Sequence, residues 1–160
     1  MTSQEEIQYY WKKKTISILD LVYADGKVII FEENCCRKKY NITYEGTLEA
    51  YKHKVDFPFF DDDTIQIFDS ETNPLNGNIV HFGACCMENE GFLAYTDNQD
   101  KLLWSMFFDF SNPFIATTII DNRIIVRTII ENNLIFTIPV DNPEKISCVP
   151  TESFQDYQQG

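Results

Sequence analysis

Apolar and polar positions follow two different periods along this chain. Between Ser3 and about Lys13, Ile7, Tyr10 and Trp11 recur at i, i+3 and i+4, one narrow stripe of a short helix able to lie against a sheet. Ser3-Gln4-Glu5-Glu6 has the S-x-x-E spacing of a capping box, in which hydroxyl and carboxylate each satisfy a free backbone N–H, so it predicts where this helix starts.

Beyond the helix the pattern predicts β structure. Ile16 to Tyr23 and Lys27 to Phe31 flank Ala24-Asp25-Gly26, and Asp-Gly between apolar runs predicts a type I′ hairpin turn with positive φ at both central residues. Asn76-Gly77 marks a second turn. The later chain reads as Gly91 to Tyr95, a polar turn at Thr96 to Asp100, Leu102 to Phe110, Phe114 to Ile120, Asp121-Asn122, Ile124 to Ile130, Asn132-Asn133 and Leu134 to Pro139. Runs joined in series by tight polar turns predict an antiparallel meander. Ile119-Ile120, Ile124-Ile125-Val126 and Ile129-Ile130 are apolar at adjacent positions, which predicts strands covered on both faces by a second sheet or by the helix. Thr47 to Lys54 fits a helical turn or a strand, and is read as a strand. The fold expected is mainly β with a minor α part: an antiparallel meander or sandwich with a short N-terminal helix. Residues 1–150 form one domain, and 151–160 a polar, loosely held tail.

Composition and charge narrow the function. With 160 residues and 44 % apolar content, the chain can build one sizeable core. No apolar run approaches the roughly 18 residues of a membrane helix, and Glu5 and Glu6 stand where a signal peptide would be basic, so a cytoplasmic protein is expected. Five cysteines, as Cys35-Cys36, Cys85-Cys86 and Cys148, suit a reducing compartment and are read as thiols. The net charge of −12 is unevenly placed. Residues 55–100 hold ten acids and neither lysine nor arginine. Such a field repels nucleic acid and anionic membrane and steers a basic protein or a cation toward itself.

Several chemistries can be weighed against this pattern. Asp61-Asp62-Asp63 is a metal candidate, but calcium loops space their ligands alternately around a glycine, and this run continues straight into Ile65 and Ile67 without one. His81-x-x-x-Cys85 could be half a zinc site, yet adjacent cysteines on a strand face opposite sides of a sheet and serve as small core residues. No glycine-bounded nucleophile elbow surrounds any cysteine, and none of the six glycines forms a phosphate cradle. The clusters Lys12-Lys13-Lys14 and Arg37-Lys38-Lys39 read as the polar end of a helix or the lysine-guarded edge of a strand. The chain is therefore expected to be no enzyme and to need neither cofactor nor metal.

LLWSMFFDFSNPFIATTIIDNRIIVRTIIENNLIFTIPVDNPEKI (Leu102 to Ile146) resembles small cytoplasmic immunity proteins encoded beside the toxins of bacterial contact-dependent growth inhibition and related polymorphic toxin systems. The resemblance lies in its turns and strand edges. It implies an inhibitor that docks an acidic surface over a basic toxin, often an RNase or DNase, with no direct contact to nucleic acid or membrane. Asp56, Asp61, Asp62, Asp63, Asp69, Glu71, Glu88 and Glu90 are the expected partner-binding residues, the aspartate triplet standing in for phosphates. Phe57, Phe59 and Phe60 would be core or interface anchors, core for at least two of the three. Two other readings remain open at this point: a metal-dependent hydrolase using the acidic cluster, and a general protein-binding or oligomeric module.

Overall fold

The computed structural model describes residues 1–32, 41–55, 59–60, 65–85, 90–108, 114–128 and 134–150. Two antiparallel sheets and two short helices build it. A seven-stranded sheet runs β3-β2-β1-β7-β6-β5-β4 and a four-stranded sheet runs β11-β10-β9-β8. In chain order the first sheet holds β1 (Leu21–Tyr23), β2 (Lys27–Phe31), β3 (Ile42–Thr47), β4 (Gln66–Thr72), β5 (Ile79–Ala84), β6 (Gly91–Thr96) and β7 (Leu102–Phe108). The second holds β8 (Phe114–Ile120), β9 (Arg123–Thr128), β10 (Leu134–Pro139) and β11 (Ser147–Pro150). Helix α1 is Ser3–Lys12 and α2 is Leu48–Lys54. The mainly antiparallel β architecture with a short N-terminal helix matches the expectation from the residue pattern.

The larger sheet is the middle of three layers. On one face Ile7 and Trp11 of α1 and Leu48 of α2 pack with Val22, Val28, Phe92, Ala94 and Leu102. On the other face Leu21, Ile29, Leu93, Tyr95, Trp104 and Met106 meet Phe114, Ile124, Val126, Phe136, Ile138 and Cys148 of the smaller sheet. β8 lies over β4 and β5. All six residues of β6 are buried, because neighbouring side chains point into different cores. Coverage on both faces thus falls on β6. It does not fall on β8, where Ile115 and Ile120 are exposed, since the four-stranded sheet has described packing on one side only.

Local chemistry shifts several expected boundaries. The cap of α1 is Thr2, one residue before the expected Ser3: Thr2 Oγ1 accepts from Glu5 N and donates to the Glu5 carboxylate. Tyr10 lies beside the buried stripe, stacked on Phe60 with centroids 4.2 Å apart. The Asp25-Gly26 turn has positive φ at Gly26 alone, with Gly26 N donating to the Tyr23 carbonyl. The type I′ pattern expected there, positive φ at both central residues, occurs instead at Asp121 (50°) and Asn122 (59°) between β8 and β9. Thr47 to Lys54, read as a strand, is mostly helix: Thr47 Oγ1 accepts from Ala50 N and nucleates α2, whose Leu48 is buried under the sheet. The run Ile16 to Tyr23 yields only the short β1, preceded by a bridge from Ser17 to Phe60.

The expected meander is divided. β6 and β7 pair within the larger sheet, and the chain then crosses to the smaller one, where β8 to β11 pair in series. A polar clasp holds the layers together at this end. Asn73, fully buried, donates through Nδ2 to the Tyr95 hydroxyl (3.0 Å) in one sheet and to Asn122 Oδ1 (2.9 Å) in the other. Asn122 Nδ2 in turn donates to Asp141 (2.7 Å), and the Trp104 indole N–H donates to the Val140 carbonyl (3.1 Å).

Candidate partner-binding strand and its polar cluster

β4 ends the larger sheet and has one hydrogen-bonded neighbour, β5. Its hairpin with β5 is set by the Asn73 to Asn78 turn. Asn73 Oδ1 accepts from Leu75 N, Asn76 Oδ1 accepts from Asn78 N, and Gly77 takes φ 79°. The pairing shifts between Ile67 and Asp69, and Phe68, at the shift, is exposed. Close strand approach explains Gly83 opposite Ile67: a Cβ there would collide with the Gln66 carbonyl oxygen.

Three of the eight expected partner-binding residues lie in the described structure. Asp69 and Glu71 are exposed on β4 and register against Phe82 and Val80, so they share the strand face turned toward the smaller sheet. Asp69 accepts a hydrogen bond from Ser70 N (2.8 Å), and among the described residues neither acid forms a salt bridge. Glu90 stands just before β6, half-buried, its carbonyl accepting from Cys85 N. Asp56, Asp61, Asp62, Asp63 and Glu88 lie outside the described residues, as does Phe57. Phe59 is buried in the helix-side core and Phe60 packs against it, so both serve the core.

The remaining described acids of the 55–100 stretch have internal tasks. Asp97 Oδ1 accepts from Gln99 N (2.8 Å) and Lys101 N (2.9 Å) and so shapes the β6–β7 turn. Asp100, at φ 64°, receives the Trp11 indole N–H on its carbonyl (3.1 Å) and Lys14 on its carboxylate (3.4 Å), which ties the end of α1 to this turn. Lys13 caps α1 and bonds the Tyr9 hydroxyl, so the Lys12–Lys14 cluster is the polar end of a helix, as expected. Cys148 is a small apolar member of the inter-sheet core.

A polar cluster that the residue pattern did not point to sits behind the β4 acids, on the opposite face. Ser70 and His81 are register partners, and Ser70 Oγ is 2.7 Å from His81 Nδ1. His81 Nε2 is 3.1 Å from Thr96 Oγ1 and 4.0 Å from the Asp100 carboxylate, and the ring tilts against Trp11 with centroids 5.5 Å apart. Burial holds the imidazole below its ordinary pKa; Asp100 opposes this and Lys14 adds to it. The pairing could have been found from the turn, because a hairpin centred on Asn73 to Asn78 places residues 70 and 81 opposite each other.

Among the described residues, no group of three His, Cys, Asp or Glu side chains is placed to hold a metal ion, and no helix is long and apolar enough to cross a membrane. Comparisons with protein-family models, curated proteins and solved structures find no match. The fold and the acidic terminal strand define a two-sheet β protein whose functional reading rests on its own geometry.

Proposed function

We propose that this protein is an immunity protein that binds and neutralises a cognate toxin, a basic nuclease, through an acidic surface. The observation that supports it most is charge segregation. Residues 55–100 carry ten acids and no lysine or arginine, and Asp69 and Glu71 stand exposed on the terminal strand of the sheet without an ion pair among the described residues. A nuclease presents lysines and arginines where phosphates bind. An acidic inhibitor competes for those cations and gains fast association by steering. Asp61, Asp62 and Asp63, which precede β4 in sequence, belong to the same proposed surface together with Asp56, Glu88 and Glu90. On this reading the protein acts in the cytoplasm as a stoichiometric inhibitor and catalyses nothing in that role.

The test begins with capture of the basic protein encoded by the neighbouring reading frame, eluted with rising salt, followed by stopped-flow association. Reversal of Asp69 and Glu71 to lysine is expected to lower the on-rate at least tenfold at low salt, with the difference shrinking as salt is added. Reversal of Asp61, Asp62 and Asp63 is expected to act in the same direction. Capture of a partner whose association ignores both reversals and salt would remove the acidic surface from the interface.

A further inference from the structure

The Ser70–His81 pair is arranged as a general base beside a nucleophile, and its neighbours suit one tautomer of the imidazole. Thr96 Oγ1 lies 3.1 Å from His81 Nε2 and 3.4 Å from the Ile79 carbonyl, so when its hydrogen goes to that carbonyl it accepts from Nε2. The Asp100 carboxylate also lies on the Nε2 side, at 4.0 Å, and favours a proton there. Both contacts suit the tautomer with its hydrogen on Nε2. In that tautomer Nδ1 presents its lone pair, and the Ser70 hydroxyl, 2.7 Å away, donates to it. Base, nucleophile and a carboxylate behind the base follow the logic by which serine hydroxyls are activated.

The surroundings suit that task in three respects. Ser70 is half-buried on the terminal strand, and His81 is largely covered. Among the described residues, the charged groups facing His81 are Asp100 from the β6–β7 turn and Lys14 from the end of α1. Trp11 closes the ring from the helix side, and Ser70 and Thr96 flank it from β4 and β6. The ring is held neutral near pH 7 by its burial, as a base must be.

We propose that Ser70 is an activated nucleophile that takes an acyl or phosphonyl group from an uncharged ester-like electrophile, with His81 as its base and Thr96 and Asp100 as positioning residues. In the acylation step the Ser70 Oγ–H proton passes to His81 Nδ1 as an Oγ–C bond forms at the carbonyl carbon. The C–O bond to the leaving group then breaks, and that alcohol departs with the proton from His81. The imidazolium formed in between has the Asp100 carboxylate beside Nε2. Selection for uncharged electrophiles follows from Asp69, whose carboxylate accepts the Ser70 backbone N–H and repels anions. That N–H is consequently not offered to an oxyanion.

The probe is an uncharged fluorophosphonate. Oγ–P bond formation expels fluoride, and the Ser70 proton reaches solvent through His81. The intact chain is labelled over pH 5 to 9 and the adduct is located by peptide mass spectrometry. The expected result is one adduct on Ser70, at a rate that rises as His81 loses its proton and then levels, none in Ser70→Ala, and about a hundredfold slower labelling in His81→Gln. Thr96→Val, which lets the other tautomer form, is expected to slow labelling and move the pH midpoint while circular dichroism is unchanged. No adduct on Ser70 beyond that of the urea-unfolded chain, or an equal rate in folded His81→Gln, would overturn the proposal. Neither outcome bears on toxin binding, which is read separately by association rate.

Discussion

Asn73 is a buried polar side chain that ties the two sheets together. It is fully buried, and its amide reaches a tyrosine in one sheet, an asparagine in the other and the backbone of its own turn. Asn73→Ala leaves the Tyr95 hydroxyl and the Asn122 carbonyl without this donor and is expected to cost about 2–3 kcal/mol, read by urea unfolding. His81 gives a pH signature. Its folded-state pKa is depressed by burial, so the unfolded chain takes up the proton first. The stability it contributes is complete above about pH 6.5 and is lost as pH falls through the folded value. His81→Gln should therefore show a shallower loss of stability than the parent between pH 7.5 and 5, measured as the difference between two denaturation series. At this scale the sequence was partly legible. The exposure of Asp69 and Glu71 followed from their charge. The Ser70–His81 contact did not follow from composition, because a serine and a histidine eleven positions apart mean something only once a turn sets their register.

The elements were legible where a turn residue or a strict period marked them. Asp-Asn and the alternating apolar runs placed β6 to β10 within a few residues, and Asn-Gly marked the turn between β4 and β5. Helix α2 was missed because seven residues are less than two turns beyond its cap and only Leu48 is buried, so no period had room to show. Its cap was the available signal: Thr47→Ala is expected to cost about 1 kcal/mol and to lower helical circular dichroism slightly. The β4–β5 pairing has a sharper test in Gly83, where any Cβ meets the Gln66 carbonyl. Gly83→Val should destabilise by about 3 kcal/mol and raise amide exchange along β4 before the rest of the sheet. If exchange instead rose evenly through both sheets, the hairpin would be inseparable from the global unfolding unit.

Across the whole molecule a second sheet was expected, but the point at which the chain passes into it was hidden because sequence order runs straight through it. Phe108 and Phe114 are six positions apart, on different sheets, and their rings meet edge to face at 4.8 Å across the layer boundary. Nothing in the alternation of either strand announces that the chain changes layers between them. The segregation of charge was visible at once, and it is the property on which the proposed partner depends. One further consequence follows from the pairing of β1 with β7. Leu21 lies opposite Met106, about 85 residues later in the chain. At roughly 5–20 residues per second, a ribosome needs several seconds to deliver the second strand of that seam after the first. During that interval the central position of the larger sheet has an open edge, and the closing of the seam is the step with the greatest loop entropy. Leu21→Ala and Met106→Ala are expected to slow refolding together if the seam forms in the rate-limiting step. If they speed only unfolding, the sheet closes after the barrier, and the nascent chain would meet that barrier before its two halves are joined.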